Sequence, residues 1–386
     1  MRVTARVLAL VVPLYAAAWT YRIYSRVYYI WLPGYFHHLL NDEHAPRGPV
    51  HLFFYYTDHF EPGEHFDRVE HWVEEYPKLA ARHHDADGRV VQHTWFYPAE
   101  QPIDRNLDAL HQLAAGGYGE VELHLHHFYD TPQSARARFE QGIAWMQRNG
   151  FLKGTDGKTH FAFIHGNWGL DNSRGAKYCG NNMELRMLHD LGCFADYTFP
   201  SLWQVSQPSY VDAITSVTDD ARNKSYDRGV PLRLGYYPPG DLVEIEGPLV
   251  IAPEPDPRRL FFDVEDGDIH PAVPAGPRRA ILWVRANVHV RGRPDWVFIK
   301  VHGHAASSDA DMNETLGSHF ERALSYLETH YNDGRNYELH YVTAREVYNL
   351  VRAAVDGKRG SPRQYYNYVI PPYDIGKSRS MPGGGS

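Results

Sequence analysis

Three histidines and a carboxylate lie within the seven residues 124–130 of the sequence. These residues are His124, His126, His127 and Asp130. Residues 120–125 alternate acidic or His side chains with apolar ones, which is the period-two pattern of a β-strand. Thr131 and Pro132 are typical of a helix N-cap and the first helical position. Since α/β proteins place their chemistry where a strand ends and a helix begins, this segment is the first candidate for a metal site.

Three further predicted strand ends carry polar groups capable of chemistry. They are Asp58 with His59 and Glu61, His165 with Asn167, and His302 with His304. Because the carboxyl ends of parallel strands meet on one face of a barrel, we expect these groups to converge with the 124–130 segment. Each has an ordinary explanation by itself, such as a helix cap for Asp58 or a hydrogen-bonded imidazole for His302. Their joint occurrence after apolar strands favours a functional site.

Imidazole nitrogens with one carboxylate form the ligand set of a catalytic divalent metal, of which zinc is the usual case. Alternate strand positions point to the same side, so His124 and His126 can reach one ion, and His127 can if the strand breaks into a turn. Three protein ligands leave one position for water, whose pKa the ion lowers. Hydrolysis then needs a base for the water and an acid for the leaving group, and His302 suits the acid role.

Predicted strands and helices alternate along most of the chain. The strands are 50–56, 90–97, 120–125, 161–164, 194–199, 296–301 and 338–342, and the helices are 66–83, 103–115, 132–149, 182–191, 312–331 and 343–355. Residues 206–277 are rich in Pro, Gly and Asp and are interpreted as an insertion that contains one barrel strand. About seven or eight strands in this arrangement predict an α/β fold, with a distorted (β/α) barrel favoured over an open sheet.

The barrel is expected to span residues 46–375, with an N-terminal segment at 1–45 and a flexible tail at 376–386. The 386-residue chain has a net charge of −8 and no run of Lys and Arg. This balance excludes nucleic acid as the main partner, since nucleic-acid binding needs a basic surface. Two cysteines are too few for a four-cysteine zinc site. Cys179 and Cys193 are expected either to form one disulfide in an exported protein or to remain buried thiols.

The N-terminal segment, 1–45, is apolar and aromatic. Its apolar run, 7–19, is interrupted by Pro13 and is shorter than the about 20 residues that a membrane span needs. It has three interpretations: a secretory signal cleaved after the alanines at 16–18, an uncleaved interfacial anchor, or an ordinary hydrophobic helix packed on the domain. The predicted location is therefore membrane-associated or exported to the cell envelope, with a cytoplasmic protein as the alternative.

Four short segments between residues 50 and 355 carry a family resemblance. They are Thr57-Asp58, Glu120-Val-Glu-Leu-His124, Ala195-Asp196-Tyr-Thr-Phe-Pro200 and Ile299-Lys-Val-His302. In this order they resemble the metal-dependent polysaccharide deacetylases of the NodB-homology type. The resemblance implies a distorted (β/α) barrel, an Asp-His-His metal triad and hydrolysis of N- or O-acetyl groups of glycans. The chain is also similar to a less characterised bacterial group in its segments 57–62, 165–168 and 340–346.

The resemblance also implies roles for individual residues. The implied metal ligands are Asp58, His124 and either His126 or His127, and the implied acid is His302. The family's first motif has two adjacent aspartates, one of which is the base, and Thr57 replaces the first of them. Candidates for the base are therefore His59, Glu61 and Glu122. The residues expected to line a glycan groove are His165, Asn167, Trp168, Asp171, Arg174 and His304.

The predicted function is metal-dependent deacetylation of a polysaccharide or other glycan in cell-envelope or exopolysaccharide metabolism. One alternative is glycoside hydrolysis on the same barrel, which needs two carboxylates flanking the scissile bond. Its candidate carboxylates are Asp58, Glu61, Glu122 and Asp196. The other alternative is a non-catalytic glycan-binding or assembly protein, consistent with the replaced aspartate and the many aromatic residues.

Overall fold

The computed structural model describes residues 2–45, 48–254 and 261–376, with side chains from residue 12 onward. An 11-stranded, mostly parallel sheet forms the centre of a mixed α/β fold. The predicted flexible tail lies outside the described residues from position 377 onward.

The elements follow one another in the order that the sequence predicts over most of the chain. The strands are β1 (Val50–His59), β2 (His93–Pro98), β3 (Gly119–Leu125), β4 (Phe161–His165), β5 (Cys193–Asp196), β6 (Ile214–Val217), β7 (Val230–Pro231), β8 (Leu242–Ile245), β9 (Val250–Ala252), β10 (Asp263–Glu265), β11 (Asp268–Ile269), β12 (Trp296–Gly303) and β13 (Tyr337–Tyr341). The helices are α1 (Arg2–Ser25), α2 (Tyr28–Leu40), α3 (Phe66–Ala80), α4 (Asp104–Ala115), α5 (Pro132–Arg148), α6 (Glu184–Leu191), α7 (Pro277–Arg285), α8 (Asp309–Thr315), α9 (Ser318–His330) and α10 (Ala344–Val355). The predicted helix 312–331 is two helices, because extended backbone at Gly317 separates α8 from α9.

β1 lies at the centre of the parallel part of the sheet. It pairs with β12 from His51 to Asp58, with β13 through its N-terminal half, and with β2 through its C-terminal end. From β2 the parallel order continues through β3, β4 and β5 to β8. The C-terminal ends of these strands therefore lie along the same edge, where the predicted site residues were expected to meet.

The interpreted insertion, 206–277, contributes two strands to the parallel order. One is β8, which pairs parallel with β5, and the end of the insertion adds a second, two-residue strand, β11, which pairs parallel with β12. The prediction of one strand is therefore one too few, and β6 and β7 add antiparallel strands beyond β8. Among the described residues the sheet is open between β7 and β11, so the mixed α/β fold is confirmed but the predicted distorted barrel is not. Lys300 of β12 nevertheless donates to the carbonyls of Tyr197 and Phe199, the latter at 2.6 Å. Since these residues follow β5, which lies several strands away from β12, the sheet is curved.

The two faces of the sheet have different surroundings. On the outer face, Phe54 and Tyr56 of β1 belong to a core shared with helices α3–α7 and α9. On the inner face, Phe53 and Tyr55 belong to a second core shared with α10. Side chains alternate along a strand, so the parity of a position decides which face a site residue occupies.

Helix α2 packs on the domain rather than projecting from it. Tyr28, Trp31 and Tyr35 form a buried cluster with Leu202, Val211 and Leu249 of the loops around β6 and β9. In the part of the chain that the structure describes, no helix combines the length and apolarity needed to traverse a bilayer.

Candidate metal centre

Four histidines and one carboxylate converge on the inner face, at the C-terminal ends of three strands. They are His59 at the end of β1 and Glu61 just after it, His124 near the end of β3 and His126 just after it, and His304 after β12. The side chain of Trp168, which follows β4, lies against two of the imidazoles. The predicted convergence of strand ends is therefore observed for three of the four proposed segments, with the fourth contributing Trp168.

Glu61 is at the centre of this arrangement. Its Oε1 atom lies 2.9 Å from Nε2 of His124, 3.6 Å from Nε2 of His126 and 3.9 Å from Nδ1 of His59. The potential ligand atoms of Glu61, His124 and His126 all lie within 4.8 Å of one another, and so do those of His59, Glu61 and His304. Two triads of potential ligands thus share one carboxylate.

The hydrogen bonds of His124 and His126 fix which ring nitrogen faces Glu61. Nδ1 of His124 lies 2.8 Å from the carbonyl oxygen of Ile164 and must donate, because a carbonyl only accepts. Nδ1 of His126 lies 2.6 Å from Oε1 of Glu100 and donates to that carboxylate. Histidines that ligate metals donate their second ring N–H to a carbonyl or carboxylate in this way. Both Nε2 atoms are therefore oriented as ligands, and the residues present fit a divalent ion.

The charge state of the cluster follows from the same contacts. Burial opposes ionisation of Glu61, but the surrounding histidines, His124 foremost, lower its pKa to about 2. Burial also opposes protonation of His126, and Glu100 and Glu61 outweigh it, so the pKa of His126 is raised. A carboxylate beside acceptor nitrogens is stabilised either by a proton on the imidazoles or by a cation between them.

His59 and His304 form the second part of the site. Their ring centroids are 4.5 Å apart, and Trp168 lies 5.8 Å from His59 and 5.7 Å from His304. Burial and the neighbouring imidazoles hold the pKa of His59 well below its usual value. A neutral imidazole at this position can accept a proton.

His302 lines a cleft beside the histidines. This cavity of about 120 Å³ is also lined by Trp168, Trp203, Asp266 and Asp268. Nε2 of His302 lies 4.0 Å from Oδ1 of Asp268, and its Nδ1 has no hydrogen-bond partner among the described residues. Burial and the charge of Lys300 hold the pKa of His302 well below its usual value. His302 therefore contributes a neutral imidazole to the lining of the cleft.

The prediction that Asp58 binds the same ion as His124 is wrong. β1 extends to His59, so strand alternation places Asp58 on the outer face and His59 on the inner one. Oδ2 of Asp58 lies 3.0 Å from Nε2 of His93, and Oδ1 accepts from the Ala305 backbone N–H at 2.9 Å. The carboxylate is fully buried and anchors β1 to the loop after β12.

Glu122 is not positioned as a base. It is on the inner face, two residues before His124 along β3. Both of its carboxylate oxygens accept hydrogen bonds. They accept from the Ala162 backbone N–H and the Tyr373 hydroxyl, each at 2.7 Å. Burial raises the pKa of Glu122 well above its usual value. The prediction for this residue is wrong because the side chain links β4 to the C-terminal segment.

His127 and His165 are also misplaced by the sequence-based prediction. Both lie on the outer face, where they contact Glu184 of α6, with Nε2–Oε1 distances of 2.8 and 3.4 Å respectively. His127 therefore does not share an ion with His124, and His165 does not line a groove. Cys179 lies in the same cluster, and both Cys179 and Cys193 are free and buried, so the expectation of two buried thiols is confirmed.

The remaining predicted groove residues fall into two groups. Trp168 and His304 lie at the inner-face site, as described above. Asp171 is buried and accepts from the Ser225 backbone N–H, so it holds a loop together instead of meeting a ligand. Arg174 stacks on Tyr178 at 4.1 Å and donates to the carbonyl of Asn167. For Asp171, Asn167 and Arg174 these contacts indicate a structural role in the loop after β4.

Several residues of the site were absent from the predictions or given another role. Glu61 was proposed as a base or as a glycosidase carboxylate and not as a metal ligand, and Glu100 and Asp268 were not proposed. Glu100 follows the end of β2 just as His126 follows the end of β3, so the strand-end rule could have found it. Asp268 belongs to the irregular insertion, where no periodicity points to a site.

No protein-family model matches the chain, and no curated protein shows a significant match to it.

Proposed function

We propose that the chain is a metal-dependent hydrolase that holds a divalent ion, with zinc as the best-fitting candidate, through Glu61, His124 and His126. The observation that carries the proposal is the orientation of two Nε2 atoms toward one carboxylate oxygen, at 2.9 and 3.6 Å. Their Nδ1 atoms are held by Ile164 and Glu100. Three protein ligands are the number found in catalytic zinc sites, which keep one position open.

A divalent ion bound there would lower the pKa of a water molecule and polarise a substrate carbonyl. His59 lies beside Glu61 and is held neutral by burial, which suits it to take a proton from an attacking water. His302 lies in the adjoining cleft and is the proposed proton donor to the leaving group. Because its pKa is low in the free protein, it first takes up a proton released by the attacking water and then passes it on. His304 packs against His59 and Trp168 and keeps both rings in position.

The substrate class that we propose is an acetylated glycan. Trp168 and Trp203 both line the cleft, and indole rings offer apolar faces against which sugar rings stack. The carboxylates of Asp266 and Asp268 lie in the same cleft and provide acceptors for sugar hydroxyls. The resemblance to polysaccharide deacetylases points to the same substrate class, and the curvature that brings Lys300 to the end of β5 supports a distorted barrel.

Glycoside hydrolysis is the second candidate, and the carboxylates in the cleft favour it. Burial and the neighbouring Asp268 and Glu265 raise the pKa of Asp266 to about 7, which is the behaviour of a general acid. The two enzymes differ in product: a deacetylase releases acetate, whereas a glycosidase releases new reducing ends.

The experiment is acetate release from acetylated chito-oligosaccharides and acetylated xylan by the purified, zinc-loaded protein. His124→Ala should abolish release. The matched control is His160→Ala, because His160 precedes β4 at the opposite end of the sheet and pairs with Asp156 at 3.0 Å. Reducing ends without acetate would select the glycosidase, and neither product from any of these substrates would favour the non-catalytic glycan-binding alternative.

We also propose that the N-terminal helices attach the protein to a membrane surface. Tyr21, Tyr24, Phe36 and Leu40 are exposed on α1 and α2, and such residues partition into the headgroup region of a bilayer. Co-sedimentation with anionic phospholipid vesicles tests this, and equal recovery of wild type and Phe36→Ser/Leu40→Ser in the vesicle fraction would contradict it.

A further inference from the structure

A second cluster of metal-ligating side chains lies on the outer face of the sheet. It consists of His127, His165, Cys179 and Glu184, which we call the outer cluster. All four residues are fully buried. They come from four places in the chain: the segment after β3, the end of β4, the loop between β4 and α6, and the first residue of α6.

The ligand atoms of the outer cluster face one another. Oε1 of Glu184 lies 2.8 Å from Nε2 of His127 and 3.4 Å from Nε2 of His165, and its Oε2 lies 3.4 Å from Sγ of Cys179. One ligand atom from each residue lies within 4.8 Å of all the others. Four donors around one zinc ion are separated by roughly 3.3–3.8 Å, given the usual bond lengths. A small inward shift of the side chains therefore completes a tetrahedron.

The surroundings of the two histidines orient them toward the common centre. Nδ1 of His127 lies 3.1 Å from Oδ2 of Asp130 and donates to it, which leaves Nε2 directed at Glu184. Nδ1 of His165 contacts the backbone of Gly166 and Gly169. Nε2 of His165 has no hydrogen-bond partner among the described residues, although the residue has no exposed surface. A buried ring nitrogen left without a hydrogen bond costs free energy unless something binds it.

The thiol adds an observation of its own. Burial and the nearby Glu184 raise the pKa of Cys179, so without a cation the group is a neutral thiol against a carboxylate. A cation reverses this balance because it favours the thiolate outright. Two neutral imidazoles, one thiolate and one carboxylate then carry two negative charges, which a divalent ion cancels inside the core.

We propose that the outer cluster is a structural zinc site. A thiolate with two imidazoles selects zinc over the hard cations Mg²⁺ and Ca²⁺. Four protein ligands leave no open position, which is the mark of a structural rather than a catalytic zinc. Binding forms the Zn–S bond at Cys179 and releases the thiol proton to solvent, together with any second proton on His127.

The position of the site explains what the ion does. It joins the ends of β3 and β4 to α6 and to the loop of residues 166–183. Within that loop Asn167, Trp168 and Asp171 have positive φ of 58°, 49° and 51°, a conformation that non-glycine residues adopt only when their surroundings hold them. Because Trp168 follows His165 by three residues, zinc on the outer face fixes the residue that packs on His59 and His304.

The outer cluster shares no ligand with the inner-face site. His126 and His127 are adjacent in sequence but point to opposite faces, and Cys179 is the ligand that the inner-face site lacks. A readout specific for sulfur therefore reports on the outer cluster alone. It does not depend on catalysis, so its outcome is separate from that of the proposed hydrolase activity.

The test uses full-length protein produced in cobalt-supplemented medium. We expect a thiolate-to-cobalt charge-transfer band in the near ultraviolet, lost in Cys179→Ser and retained in Cys193→Ser, the matched control at the other buried thiol. His124→Ala should retain the band. Absence of the band from cobalt-containing wild type overturns the proposal without reference to any variant. A band that persists in Cys179→Ser overturns it as well.

Discussion

Nε2 of His124 lies 2.9 Å from Oε1 of Glu61, while Nδ1 of the same ring donates to the carbonyl of Ile164. The imidazole of His124 thus links the backbone of β4 to the carboxylate that follows β1. The relationship fixes the tautomer and leaves one nitrogen for a ligand, as in the second-sphere arrangement of zinc enzymes. The predictions for the inner-face site depend on this contact.

Glu100 is expected to tune the affinity of the inner-face site. Its Oε1 accepts from Nδ1 of His126 at 2.6 Å, so Glu100→Gln weakens the orientation and basicity of the ring. We expect metal affinity to fall by about 10–100-fold. Competition with a chromophoric chelator measures this. Glu140→Gln, on the exposed surface of α5, is the matched control, and equal affinities for the two variants would contradict the assignment.

Asp58 is expected to be structural. It is fully buried and hydrogen-bonded to His93 and to the Ala305 backbone N–H, so Asp58→Ala leaves two buried donors without an acceptor. The protein should be destabilised by about 1–3 kcal/mol for each of them. The folded variant should retain the wild-type metal content. Urea unfolding and elemental analysis of the same preparation provide the measurement. If the variant lost one equivalent of metal and its free energy of unfolding were unchanged, Asp58 would be a metal ligand and the structural role would be wrong.

His59 is expected to act in proton transfer. His59→Gln removes the group that accepts a proton beside Glu61, and kcat should decrease by about 10²–10⁴-fold. Because Glu61, His124 and His126 remain, the metal content should be unchanged. Steady-state kinetics on the acetylated substrate, combined with elemental analysis, separates this role from that of a ligand. A variant with full kcat would refute the role.

Glu246 gives the stability of the protein a pH dependence. Burial raises its pKa to about 8, although a hydrogen bond from Gln207 and the charge of Lys300 oppose the shift. Between its unfolded value near 4.5 and about 8, the folded protein holds a proton that the unfolded chain has lost. Stability due to this group is therefore present below that window and is lost as the pH rises through it, by at most about 1.4 kcal/mol per pH unit.

Glu246→Gln should flatten that dependence, since the amide keeps an acceptor for Gln207 but does not titrate. The measurement is the free energy of unfolding in urea at intervals from pH 5 to pH 8. A variant whose stability falls with pH as steeply as that of the wild type would show that Glu246 is ionised in the folded protein.

Much of the sheet could be predicted from the sequence because its strands are continuous apolar runs. The site was harder, and β1 shows why. The predicted strand ended at Tyr56, which left Asp58 in a turn from which either face is reachable. The strand continues to His59, and this difference of a few residues moves Asp58 to the outer face. His124 and His126 were correctly predicted to face the same side, because β3 extends to Leu125 and His126 is the next residue.

The outer cluster could not be predicted for a different reason. Cys179 and Glu184 follow His165 by 14 and 19 residues through irregular structure, with no spacing that indicates a site. Only the packing of the loop and α6 against β3 and β4 brings these side chains to His127. Long-range juxtapositions of this kind depend on tertiary structure, and a single sequence contains no pattern for them.

The most direct test of the central claim is an anomalous difference map from crystals of the protein, collected at the zinc absorption edge. We predict a peak about 2.0–2.2 Å from Nε2 of His124, Nε2 of His126 and a carboxylate oxygen of Glu61. A map from zinc-soaked crystals without a peak at those three atoms would contradict the account.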